Sequence, residues 1–238
     1  MNPSTSFCDQ TMPERIAPQV VGPATMTTRK DTAERNDRAL LQAARDVLAE
    51  DGAHASVAAI AHRAGVGIGS LYRRYKTKEE LFQRLSLMSL EHWNQAAEQG
   101  LADPDPWAGL AGFVRGCVEF GQGSLAPVAG IIEVTEQMRA RSRRGDELLE
   151  ELVRRAQGAG VLRVDVTAVD IALLIEQLGR SPVVDQLRKQ GREDLLPAAT
   201  RARRRLIAIA LDGLRPGHAP LPEAAPGEEL CSGRWSRE

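Results

Sequence analysis

The chain has 238 residues, of which 42% are hydrophobic and 26% charged, and its formal net charge is -1. That length exceeds the usual size of one domain and suits a small head with a larger second unit, while no apolar run is long enough to cross a bilayer. The cysteines Cys8, Cys117 and Cys231 are odd in number and widely spaced, and His54, His62, His92 and His218 lack ligand spacing. These features fit a reducing cytoplasm and lead us to expect no disulfide, metal or cofactor. No residue pair suggests general acid and base chemistry, so an enzyme is not expected.

Residues 1–31 are rich in Pro, Thr and Ser without an apolar period, which predicts a disordered arm. Pro3, Pro13, Pro18 and Pro23 interrupt every short apolar run, so no secretory leader is expected, and Met12 and Met26 are alternative starts to Met1. A first helix is predicted over Asn36–Glu50, because Leu40, Leu41, Ala44, Val47 and Leu48 recur at helical spacing. Asp51-Gly52 ends it. Ser56 is the expected N-cap of a helix from Val57 to Ala64, and Gly65 follows the last apolar position as a C-terminal signal.

A second helix must then begin almost at once. In it Leu71 and Tyr75 share one side, while Gly69, Ser70, Arg73 and Arg74 lie over the other. Two helices joined by so short a turn, the second short and cationic, describe a helix-turn-helix. Between Asp51 and Glu79 there is no acidic residue, yet Arg63, Arg73, Arg74, Lys76 and Lys78 fall in that window, a strip suited to phosphate. From Arg29 to Arg84 there are 11 basic and 8 acidic residues, so this part is positive although the chain is not.

The run from Ala64 to Phe82, Ala-Gly-Val-Gly-Ile-Gly-Ser-Leu-Tyr-Arg-Arg-Tyr-Lys-Thr-Lys-Glu-Glu-Leu-Phe, resembles the signature of the TetR family of bacterial transcription regulators, and the likeness covers residues 32–92. The stretches Arg155–Thr167 and Leu211–Arg215 look like C-terminal halves found in part of that family. The resemblance implies that Ser56 and Ala58 open the first motif helix against the DNA backbone. It implies groove-facing positions for Ile68, Gly69, Ser70, Tyr72 and Arg74 with Arg73 beside them, Gly67 at the cap of that helix, and a phosphate contact by Lys78. Many relatives carry Ser where Gly67 stands, so the side-chain cap is missing here. Ile68 offers thymine a methyl contact rather than a hydrogen bond. The glycines also look superficially like a phosphate loop of an enzyme, but such loops follow a β-strand, and neither the last Gly of the dinucleotide fingerprint nor Gly-Lys-Ser/Thr is present.

Thr77 with Glu80 is an expected capping box opening a long helix from Lys78 to about Gln99, whose apolar side is Leu81, Phe82, Leu85, Met88 and Trp93. This helix links the head to a second, helical domain over residues 93–215. Further helices are predicted at Trp107–Gln122, Pro127–Arg139, Asp146–Gly158, Thr167–Leu178, Val183–Gln190 and Ala198–Leu214, with Thr167 and Asp170 as a second capping box. Strand patterns are almost absent, so the fold class is all-α, and the resemblance implies an N-terminal three-helix helix-turn-helix domain and a C-terminal helical ligand-binding and dimerisation domain. Residues 216–238, with four prolines and scattered charge, are read as a disordered tail.

Candidate pocket residues are Trp93, Trp107, Phe113, Phe120 and Met138, with Glu176 as a pocket acid, although such spacing describes ordinary core more often, and surface is the usual place for Glu133, Glu136 and Glu176. The stripe Ile171, Leu174, Ile175, Leu178 and the stripe Leu206, Ile209, Ala210 are the expected dimer interface. Together with the resemblance, these residues imply a cytoplasmic homodimer on a palindromic double-stranded DNA operator, repressing until a small-molecule effector releases it. An activator or DNA organiser without an inducer is the alternative.

Overall fold

The computed structural model describes residues 29–121, 128, 132–217, 219–227 and 230, and every regular element among them is helical. The first helix, α1, spans Arg29–Asp51 and so begins earlier than its apolar pattern. Residues 29–35 carry no apolar stripe to betray a helix, but they are mostly good helix formers without Gly or Pro. Residues 29–31 therefore belong to α1 and not to the arm, whose remainder, 1–28, lies outside the described residues. The expected stripe of α1 is buried throughout, with Leu41, Ala44 and Leu48 at 1% exposure or less.

After a 3-10 turn at Gly52–His54 come α2 (Val57–Arg63) and α3 (Ile68–Arg74), then α4, which runs unbroken from Lys78 to Ala102. Thr77 caps α4 by accepting from the Glu80 amide at 3.0 Å, but the Glu80 carboxylate accepts from the Lys76 amide at 2.7 Å instead of from Thr77. The capping box is thus displaced by one residue. At Thr167 the box is complete, with the Thr167 and Asp170 side chains each accepting from the other's amide.

In the second half, α5 (Pro106–Phe120) starts with Pro106 in its first turn and with Asp105 accepting from the amides of Trp107 and Ala108 at 2.8 and 3.2 Å. The helices expected at Pro127–Arg139 and Asp146–Gly158 are not two. Residues 132–135 are non-helical, residues 127 and 129–131 lie outside the described residues, and one helix, α6, spans Glu136–Gly158 from an N-cap at Thr135. Gly145 is buried in its interior where a Cβ would stand 2.8 Å from both the Trp93 ring and the Asn94 side-chain Oδ1, so this glycine marks a helix crossing and not a break. The crossing is stitched by Trp93 Nε1 donating to the Gly145 carbonyl at 3.3 Å and Asn94 Nδ2 to the Arg141 carbonyl at 3.1 Å.

The chain ends with α7 (Ala168–Gly179), α8 (Pro182–Lys189), a 3-10 turn at Glu193–Leu195 and α9 (Leu196–Gly213). Beyond α9 the described residues are largely irregular, and residues 219 and 221 are tied back to the loop before α7. Arg163 donates to the Ala219 carbonyl at 2.6 Å, and the Leu221 amide donates to Asp165 at 3.0 Å. The Arg163 guanidinium and the Leu221 amide hold the Asp165 carboxyl well below the usual carboxylate range.

Two hydrophobic cores result. One gathers α1, α2, α3 and the start of α4 around Leu41, Ile60, Leu71, Leu81, Phe82 and Leu85, and it also takes in Val128, Ile132 and Met138. The other gathers the rest of α4 with α5, α6, α7 and α9 around Trp93, Leu110, Phe113, Leu149, Ile171 and Leu211. Within the second, α4 and α5 cross closely, where a Cβ at Gly109 would lie 2.1 Å from the Gly100 carbonyl oxygen. Gly109→Ala must push these helices apart, and we expect a loss of about 1–3 kcal/mol of stability. Urea unfolding checks this, and an unchanged midpoint would show that the crossing yields without cost.

Candidate nucleic-acid interface

The geometry of the head begins with Ser56, whose Oγ accepts from the Ala59 amide at 3.0 Å and so starts α2. Gly65 ends that helix at φ +66, where its amide reaches the His62 carbonyl at 3.1 Å and the Val66 amide reaches Ala61 at 3.0 Å. This closes the α2 carbonyls within three residues and lets α3 start at Ile68. Gly67 caps α3 through backbone geometry alone, at φ -62 and ψ 127, with no side-chain bond. Leu71, 1% exposed, is the buried anchor of α3, and Tyr75 is half-buried at its end.

With Leu71 turned inward, the outward face of α3 carries Ile68 and Tyr72, which are 43% and 48% exposed, together with the exposed Gly69, Ser70 and Arg73. Gly67, Ser56 and Ala58 are exposed beside it. Solvent-facing Ile68 and Tyr72 on a short helix are costly to leave in water, which is a reason to expect a partner for that face. Lys78, in the first turn of α4, holds its Nζ 5.4 Å from the Phe82 ring centre.

Arg74 departs from the expected groove-facing role. It pairs with Asp37 of α1 through both guanidinium nitrogens, at 2.6 and 2.8 Å, and Asp37 is only 7% exposed. Arg84 of α4 stands 3.8 Å from the same carboxylate. One buried acid thus joins α1, α3 and α4, and Arg74 positions α3 on the head, while Arg73 is the arginine that α3 presents outward. Asp37 and Arg84 were not among the sequence candidates, since a single acid in a polar stretch carries no signal of burial.

The candidate pocket residues do not form one cluster but divide between the two cores. Trp93 and Phe113 pack edge to face at 4.9 Å between ring centres inside the second core, whereas Met138 is buried in the head's core. Trp107 lies under Arg215, with the guanidinium 4.1 Å from its ring centre. Phe120 stacks on His92 at 3.7 Å. Glu176, expected at the surface, is 8% exposed and lies 3.6 Å from Arg180. Glu133 and Glu136 are exposed as expected, and Glu136 pairs with Arg139 and Arg143. Of the dimer stripes, Ile171 and Ile175 are fully buried within this one chain and Leu174 and Leu178 pack against the same core. They serve the protomer's own interior. Leu206 and Ile209 are each 58% exposed.

A cavity does exist, but elsewhere. A cleft of about 760 Å³ opens between α1, the end of α5 and the α7–α8 corner, and Phe120 is its one member among the expected pocket residues. No group of His, Cys, Asp and Glu among the described residues could hold a metal ion, and no helix among them is long and apolar enough to cross a membrane.

Comparison with known proteins agrees with this geometry. Residues 40–85 match the family described as bacterial regulatory proteins, tetR family, and residues 105–216 match the C-terminal domain of SbtR-like transcriptional regulators. Among solved structures, the TetR transcriptional regulator SCO0520 of Streptomyces coelicolor is similar at 24% identity and a TM-score of 0.51, covering 76% of this chain and 99% of that one. A TetR regulatory protein of Mycobacterium vanbaalenii is similar at 25% identity and a TM-score of 0.50, covering 78% and 98%. The chain belongs to the TetR family of transcription regulators, and its function is DNA-binding control of transcription.

The Asp37 node makes a measurable claim. Arg74→Ala should lower stability by about 1–2 kcal/mol, less than for a fully buried pair, because Arg74 is 43% exposed at its side chain and Arg84 remains nearby. Asp37→Ala should cost a similar amount, and the double variant less than the two together. Thermal unfolding of the four proteins checks this; a stability unchanged by Arg74→Ala would return Arg74 to the DNA-facing set.

Proposed function

We propose that the protein is a cytoplasmic homodimeric repressor, held on a palindromic operator by its two heads and released by a small-molecule effector. The observation that carries this reading is the attachment of the second half of the chain to the first turn of α4. The Glu133 amide donates to Glu79 at 2.7 Å and the Glu133 carbonyl accepts from Gln83 at 2.9 Å, one and five residues from Lys78. A repacking of the second half would therefore pull on the helix that begins beside the interface. Small displacements suffice, because two heads must fit one duplex together. An effector that weakens operator binding ~100-fold must itself bind the DNA-bound form ~100-fold less tightly, a coupling of roughly 2.7 kcal/mol. Genomic footprinting on the host's DNA, with and without candidate effectors, tests the reading; occupancy that no effector alters would favour an organiser without an inducer.

In this reading Ser56, Ala58 and Lys78 contact phosphate, while Ile68, Gly69, Ser70, Tyr72 and Arg73 face the groove beside Gly67. Lys78→Ala should weaken binding to all sequences and lower the salt slope by about one. Ser70→Ala should instead relax sequence preference. Titrations at several salt concentrations on matched and mismatched sites distinguish the two, and equal loss of discrimination in both variants would refute the division.

Dimerisation is assigned to the exposed side of α9, where Leu206, Ile209 and Ala210 lie, since Leu206 and Ile209 are large apolar side chains left in water by the single chain. A change of Leu206→Glu with Ile209→Glu should give a monomer with much weaker operator binding. Light scattering that still reports a dimer would place the interface elsewhere.

A further inference from the structure

Arg45 stands out among the described residues. It projects from α1, is only 7% exposed, and lines the cleft between α1 and the α7–α8 corner. Its guanidinium lies over the Phe120 ring, 4.1 Å from the centre, and the backbone of Gly121 crowds its Cδ and Nη1 side. The opposite edge, Nε and Nη2, is buried with no hydrogen-bond partner. Those two N–H groups point the same way and form the fork that takes two oxygens of one carboxylate or phosphate. Burial pushes the Arg45 pKa down to about 10, so the group remains a cation at neutral pH although nothing pairs with that edge.

A buried cation with one whole edge of N–H groups unpaired is costly, and its retention calls for a ligand that supplies the missing oxygens. The surroundings have the matching sign. Arg180, Arg188, Lys189 and Arg203 line the same cleft, so five cations with Arg45 face three carboxylates, Asp46, Glu119 and Asp185. Arg203 is fixed in place, because its Nη2 donates to the carbonyls of Val118, Leu178 and Gly179 at 2.8 to 3.0 Å, and its Nε is a further buried donor without a partner. The volume of about 760 Å³ is in the range of small-molecule sites, and Leu48, Phe120, Pro182 and Val184 give the walls an apolar share.

We propose that this cleft is a binding site for a small organic anion, whose carboxylate or phosphate head is held by the free edge of Arg45 and whose body lies against Phe120. The cleft lies between the head and the second half of the chain. Asp46 of α1 and Arg188 of α8 meet across it at 3.4 Å. An anion that draws Arg188 away from Asp46 loosens this link between α1 and α8. That consequence rests on the repressor reading, whereas binding itself does not.

The test is calorimetry and thermal shift on the full-length protein without DNA, so that its outcome is separate from any failure of operator control. The probes are acetate, hexanoate, benzoate and inorganic phosphate, the last distinguishing a bare anion from one with an apolar body. We expect hexanoate or benzoate to bind and raise Tm, and Arg45→Met to weaken that binding at least tenfold without lowering the Tm of the free protein. Arg45→Lys keeps the charge but loses the two-pronged edge, and it should also bind at least tenfold more weakly, which decides the matter if the Met variant does not fold. Arg144→Gln, away from the cleft, should bind as the unaltered protein does. Failure of all four anions to bind, or equal binding by the Arg45 variants, would overturn the site, and phosphate binding alone would overturn the organic body.

Discussion

Everything in this protein is constrained by the continuity of α4. Its 25 residues, roughly 37 Å of helix, serve two hydrophobic cores in turn. Leu81, Phe82 and Leu85 are buried in the head, Trp93 and Ala97 in the second half, and the buried Ser86 and Ser89 lie between. A helix cannot bend sharply without losing its ladder, so in the proposed repressor reading a change in how Trp93 packs on α6 is carried along α4 to the head. The head is therefore oriented by the core of the other half, with Met138 and Ile132 adding a second apolar attachment to the same end.

Arginine has three distinct uses within the structure, and burial decides which. Arg73 is exposed on α3 and available to a partner. Arg74, one residue on, is committed to Asp37 and holds α3 at a set angle to α1 and α4. Arg155 and Arg203 act as caps: Arg155 donates to the carbonyls of Leu101 and Asp103 at 2.9 and 2.5 Å, where α4 ends. Such carbonyls have no partner within their own helix, and a guanidinium satisfies several at once while its charge complements the helix dipole. Arg45 is buried with the whole Nε and Nη2 edge unpaired, which distinguishes the cleft beside it from a packing defect.

How far sequence reasoning reached depends on whether a residue's role is local. The apolar stripe of α1, the caps at Ser56 and Thr167, the left-handed Gly65 and the outward face of α3 all follow from spacing along one helix or one turn, and the structure shows each of them. The break expected between Arg139 and Asp146 does not occur, because a glycine that ends a helix and one that, like Gly145, admits a neighbouring Trp93 look identical in one dimension. The aromatic and methionine residues expected to line a pocket are alike in type, and type does not say which of two cores a side chain enters. Trp93 and Met138 enter different ones.

By itself, then, the amino-acid sequence determined an all-helical chain with a short-turn helix-turn-helix near its start and a surplus of positive charge there, because periodicity, capping and turn chemistry act over a few neighbouring residues. Only the tertiary structure decided that Arg74 faces Asp37, that Ile171 and Ile175 are spent inside one protomer, and that a cationic cleft brings Arg45 beside Arg188 and Arg203. These pairings join residues far apart in the chain. Burial and charge pairing depend on which faces meet, and no local pattern carries that information.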